Sequence, residues 1–179
     1  VQIYDVDGVD LGDSTVGSLN LTAGGSIGQL AGTAVVVNGE ARLDATGGDV
    51  TLNGSSNDFA GPVTVTNAGN VTLVDANALN LAGVSGTGDL SATAGGALNV
   101  SGAVASSGGD VSLAGDTIDL GATVSGTDIT LNAAGGGLLL QNLQVGNDLD
   151  VTAAGDVTQS GNLSVSGVAS FSASGSNIT

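Results

Sequence analysis

Between Asn70 and Val151, apolar residues separated by one other residue return at a nearly constant interval, and this interval restricts the chain to a coil. The segments are Val71-Thr-Leu73, Leu90-Ser-Ala92, Val111-Ser-Leu113, Ile129-Thr-Leu131 and Leu149-Asp-Val151, with first members 19, 21, 18 and 20 residues apart. Repeats of roughly 20 to 50 residues mark architectures in which each unit contacts its neighbours rather than a common centre. Two more columns run out of phase with the first. One is Leu79, Leu98, Ile118, Leu138 and Val157; the other is Val84, Val104, Val124, Val145 and Val165.

Three columns predict three short strands per turn of about 20 residues. Within each segment the apolar positions alternate, as in Val71 in, Thr72 out, Leu73 in, which is the period of a half-buried strand; a helix would place them three and four apart. Equivalent residues of successive turns lie side by side, so the strands pair in parallel at about 4.8 Å per turn. The fold expected is all-β, a parallel β-helix or β-solenoid.

Composition agrees with that reading. Only 2% of the 179 residues are aromatic and 32 are Gly. A spherical core draws on large aromatic side chains, whereas a coil stacks aliphatic side chains on their like in the turns above and below. Gly, Asn, Asp and Ser then suit the corners. The net charge of −16, with one Arg, no Lys and no His, leaves nothing to neutralise phosphate and speaks against nucleic-acid partners. Without Cys there is no disulfide framework. No apolar run approaches the roughly 18 residues of a membrane-spanning helix, so membrane insertion is not expected.

Along the chain, residues 1–17 read as an acidic segment or partial turn and residues 18–179 as the β-helix. Turn starts are expected at Leu19, Leu43, Val71, Leu90, Val111, Ile129, Leu149 and Phe171. From Asn53 to Gly61 the alternation lapses, and the step of 28 residues from Leu43 to Val71 fits a loop bulging there. A longer repeat is superimposed. Leu19–Ile27 matches Leu149–Val157 at an offset of 130, and Val37–Gly47 matches Val165–Gly175 at 128. One super-repeat and the start of the next are therefore expected. Together with Val1 in place of an initiator Met, this suggests a length cut from a longer array.

The stretches Asn57–Leu81, with its Gly69-Asn-Val-Thr-Leu73, and Gly155–Phe171, with its Gly161-Asn-Leu-Ser-Val165, resemble the repeat regions of filamentous-haemagglutinin-type exoproteins of bacteria. The resemblance extends over most of the chain from about Ser18. It implies a right-handed coil, an extracellular or cell-surface location, and secretion through a dedicated outer-membrane partner. It also implies a structural role in adhesion or biofilm matrix. The family's secretion domain and its C-terminal toxins or anchors have no counterpart in these residues, so functions carried there are not assigned.

Enzymatic chemistry is not expected. Paired carboxylates can hydrolyse glycosides, but with no His or Lys and only Tyr4, Phe59 and Phe171 as aromatic side chains the roles of base, stabiliser and substrate grip go unfilled. The residue before each first-column strand is Asn70, Asp89, Asp110, Asp128 or Asp148. Each is expected to accept a hydrogen bond from its own corner, the alternative being Ca²⁺ bridging successive turns. Asp5, Asp7 and Asp10 form the denser oxygen cluster and the better Ca²⁺ candidates, against the alternative of a solvated acidic loop; no other cofactor is expected. Arg42, outward between Ala41 and Leu43, reads as a solvated surface residue. Thr64 and Thr66 do not extend into a regular Thr face. The open ends of the coil are strand edges and favour end-to-end self-association. A binding module that uses Ca²⁺, or that engages a host or matrix glycan through the Asn53–Gly61 loop, is the competing reading.

Overall fold

The computed structural model describes residues 1–174 and 177–179; Gly175, the last residue of the second long-repeat match, lies outside them. All regular elements among the described residues are strands, and every strand pairs in parallel with the turn above or below. Alternation buries one side of the strands between the end turns: Val71 and Leu73 in Val71–Asp75, Leu90 and Ala92 in Leu90–Ala94, Ile129 and Leu131 in Ile129–Ala133. Two ladders of nine strands each run the length of the molecule, the first being the main path of a 13-stranded sheet. Sheet A runs from Gln2–Asp5 to Val157–Gln159, and sheet B from Val9–Leu11 to Ala169–Ala173. A third strand completes most turns, giving a β-solenoid of about 20 residues per turn. Among the described residues its buried hydrophobic side chains are aliphatic apart from Phe59.

The first column is sheet B, with Val71, Leu90, Val111, Ile129 and Leu149 as successive Cα partners. The second, from Leu79 through Leu98, Ile118 and Leu138 to Val157, lies in sheet A. The third is in register from Val84 to Val124 and then departs, because Val124 faces Leu143, and Leu143 faces Leu163. Val145 and Val165 sit one inward position further along. Leu143 and Val145 are both buried, so periodicity does not distinguish which continues the column.

Upstream of Val71 the structure corrects the turn assignment. Leu19 and Leu43 belong to sheet A, where Leu19 faces Ala41 and Leu43 faces Val65. Sheet B continues instead through Val50 and Ile27 to Val9. Val50 precedes Val71 by an ordinary turn, and nothing bulges out between them. Within Asn53–Gly61, Asp58–Phe59 is a strand that pairs with Val35–Val37, and Asn57 and Phe59 are 0% and 1% exposed. The polar run reads as a loop, but its amide folds inward. Phe171 lies two residues beyond Ala169, the true partner of Leu149. Residues 1–17 contribute three strands, Gln2–Asp5, Val9–Leu11 and Ser14–Val16, one to each face.

The third strand changes sides along the coil. In the N-terminal turns it follows sheet B, as Ser14–Val16, Val35–Val37 and Asp58–Phe59, forming a separate sheet C. In the C-terminal turns it precedes sheet B, as Val104–Ser106, Val124–Gly126, Leu143–Val145 and Leu163–Val165. The change begins in Leu79–Gly86. Here the register slips between Val63 and Thr64, which face Leu81 and Gly83, leaving Ala82 as an extra residue. Gly83 has φ of +146°, a conformation that side chains rarely adopt. This bulge re-aims the strand so that Val84 points inward three residues after Leu81, founding the new face.

The long repeat consequently does not map face onto face. Leu19–Ala23 is in sheet A, whereas its sequence counterpart Leu149–Ala153 is in sheet B; Ile27–Gln29 is in sheet B and Val157–Gln159 in sheet A. From Leu19–Ala23, six steps along sheet A lead to Leu138–Leu140, and the match begins two strands later, at Leu149–Ala153. The offset is not a whole number of turns, so the second copy is rotated about the axis with sheets A and B exchanged.

Candidate functional site

The corner that enters sheet B carries the most regular polar array in the molecule. The column Ser26, Asp49, Asn70, Asp89, Asp110, Asp128, Asp148 and Val168 climbs it one residue per turn. The side-chain oxygen of each of the first seven accepts the backbone N–H of the next, at 2.8–3.1 Å. The bonds therefore run between turns, not within each corner as the sequence suggested. The corner also continues the main-chain ladder: the N–H groups of Val71, Leu90, Val111 and Ile129 donate to the carbonyls of Asp89, Asp110, Asp128 and Asp148. A strand ladder normally lapses where the chain turns, and here a carboxylate or amide carries it across. At five of the seven rungs the acceptor is a carboxylate, whose charge strengthens the bond, and the N–H placed between successive carboxylates offsets their mutual repulsion.

Glycine makes the rung fit. Gly69, Gly88 and Gly167 each precede a column residue, and a Cβ there would meet the side-chain oxygen of Asp49, Asn70 or Asp148 in the turn before. The sequence carries this signal as Gly-Asp or Gly-Asn at Gly48-Asp49, Gly69-Asn70, Gly88-Asp89 and Gly109-Asp110. It is legible only after the column has been aligned.

Sequence reasoning missed Asp75 and Asn57, which close sheet C where the third strand changes sides. Asp75 occupies an inward position in sheet B that later turns fill with Ala94, Gly115, Ala133 and Ala153. It is 1% exposed. One carboxylate oxygen accepts Phe59 N–H at 2.7 Å and the other Asn77 N–H at 2.6 Å. Asp58–Phe59 is the last strand of sheet C, and the Asp75 carboxylate receives the N–H that a further strand would have taken. Burial pushes its carboxyl above the usual carboxylate value and nearby Asp58 adds to the rise, against the lowering effect of the two amides.

Asn57 is paired amide to amide with Gln29. Its Oδ1 accepts from Gln29 Nε2 at 2.7 Å and from Val35 N–H at 2.9 Å, while its Nδ2 donates to Gln29 Oε1 at 2.9 Å. Gln29 Oε1 also accepts Gly54 N–H at 3.0 Å. No buried side-chain polar atom among the described residues lacks a partner, as a stable interior requires.

The acidic N-terminus is less concentrated in space than in sequence. Asp5 ends a sheet A strand and its carboxylate accepts the N–H of Asp7 at 2.9 Å, while Asp10 lies outward on sheet B, its carboxylate over Gly28 of the next turn. Among the described residues no three acidic, His or Cys side chains are grouped to hold a metal ion. Arg42 forms an exposed ion pair with Glu40 at 2.7 Å, two residues apart on the same strand side, worth little in water.

The chain matches a family described as "Repeats of unknown function (DUF5649)" over residues 1–66, 68–136 and 126–179. No curated protein and no solved structure matches it.

Proposed function

Because the chain belongs to that family of repeats, whose description assigns no activity, we propose its role from the geometry: it is a structural segment of a long secreted bacterial filament or adhesin. The coil spans distance and presents surfaces, and its open strand edges stack end to end with further copies. The observation that carries this reading is the inter-turn corner column, which ties eight successive turns in one file. Its polar side chains are engaged in holding one turn to the next, as a rod that bears load along its axis requires. The bacterial surface, the outer-membrane secretion partner and the link to adhesion or matrix assembly rest on the resemblance to filamentous-haemagglutinin-type repeats.

Antibody labelling of intact producing cells tests the location. Label on unpermeabilised cells in elongated structures is expected, and label appearing only after permeabilisation overturns the proposal. Sedimentation of the purified chain over a concentration series, with an increasingly asymmetric species as concentration rises, tests the stacking.

A further inference from the structure

The third face of the C-terminal turns is hollowed into a groove along the coil axis. Two concavities of about 630 and 430 Å³ meet at Ser107 and together run from Gly47 to Ser164, across seven turns, a path of about 30 Å at the strand spacing. Neither is lined by a charged residue, although the chain carries 17 acidic residues and one Arg. The other three described concavities each include an Asp. Groove positions are occupied by hydroxyls and amides instead: Thr123, Ser125, Asn142, Gln144, Asn162 and Ser164. Apart from Asn142, which accepts the Asn162 N–H at 3.4 Å, none of these side chains hydrogen-bonds to the rest of the chain among the described residues.

We propose that this groove binds a neutral polysaccharide chain lying along the coil axis. An anionic polymer would meet the field of a −16 molecule without a cation to hold it. A cationic ligand would be drawn to the carboxylates, all of which lie outside the groove. An apolar ligand would strand the hydroxyls and amides that recur from the turn of Asn67 to that of Ser164, since a desolvated polar group without a partner is unfavourable. A neutral chain of hydroxyls offers donors and acceptors in series to side chains repeated at about 4.8 Å, and a groove open along seven turns accommodates a polymer rather than a single small molecule. The assignment is independent of the spacer role, because it concerns one face of the coil and leaves the corner column untouched.

Affinity electrophoresis of the intact chain through gels containing dextran, galactomannan or xyloglucan, with alginate and heparin as anionic comparators, tests it. At least one neutral polymer is expected to retard the chain, with neither anionic one doing so. Gln144→Glu combined with Ser125→Asp should weaken that retardation at least tenfold at unchanged melting temperature. Asn99→Asp, on the outer side of sheet A, should leave it intact. Ser164→Asp, one turn beyond Gln144 in the same file, gives a second reading should the double variant melt early. Absence of retardation by every neutral polymer, equal retardation by the anionic ones, or full retention in both groove variants overturns the proposal.

Discussion

At the residue scale, Asp75 shows how one side chain can depart from its column and still fit. Neighbouring turns place Ala or Gly there, so Asp75→Ala creates no steric problem, yet it removes the acceptor of the Phe59 N–H. Leaving that buried donor unpaired is expected to lower stability by about 1–3 kcal/mol. The pH dependence has an unusual sign. An acid whose folded value is raised above 3.8 holds more protons folded than unfolded between the two values. Its contribution is therefore greatest below about 3.8, falls as pH rises toward the raised value, and is level above it. Urea unfolding across pH should show the wild type losing stability relative to Asp75→Asn through that window. Parallel curves would place the titration elsewhere.

At the scale of the element, the corner into sheet B is a unit of two residues from one turn and one from the turn before. Gly88 has room only for hydrogen beside the Asn70 amide oxygen, which in turn accepts the Asp89 N–H at 2.8 Å. Gly88→Ala is expected to lower stability by about 1–3 kcal/mol through displacement of that rung. In an Asn70→Ala background most of that loss should vanish, giving a coupling of about 1 kcal/mol or more between the two sites. Gly17→Ala, with nothing within 4 Å of the new methyl, should stay within about 0.5 kcal/mol of wild type. Additive Gly88 and Asn70 effects in chemical denaturation would show that the glycine is there for its backbone alone.

For the whole molecule, stability is a sum over turns and their interfaces, so turns should be removable as integers. Leu90 and Val111 are register partners, as are Asp89 and Asp110 in the corner column. Excising residues 90–110 joins Asp89 to Val111 and rebuilds every face. The shortened chain is expected to fold cooperatively, with strand-type circular dichroism and a length reduced by about 4.8 Å in solution scattering. Excising residues 90–100, about half a turn, should abolish the cooperative transition, because each downstream inward residue then meets the wrong face. The sequence repeat of 130 residues is another non-integer length: it returns the strand pattern with sheets A and B exchanged. Surfaces attached to one strand type therefore change face from one copy to the next.

The coil, its parallel pairing, its period and the columns from Val71 to Leu149 and from Leu79 to Val157 follow from the sequence alone, whereas the third column is legible only to Val124, because two inward aliphatic residues compete for it at Leu143 and Val145. The importance of the Asp and Asn before those strands is also legible there, but not their partners: sequence spacing places a carboxylate at a corner without telling which turn supplies its donor. Two things were decided only in three dimensions. A single extra residue at Ala82, accommodated by Gly83, moves the third strand across the coil, and no periodicity records which side of a sheet a strand joins. In sequence the inward amide of Asn57 looks like part of a polar loop, and the carboxylate of Asp75 is one acid among 17 acidic residues. Asp75 is buried because the last strand of sheet C must hand the Phe59 N–H to something, and Asn57 because it takes the Val35 N–H and pairs with Gln29; both needs exist only once the turns are stacked.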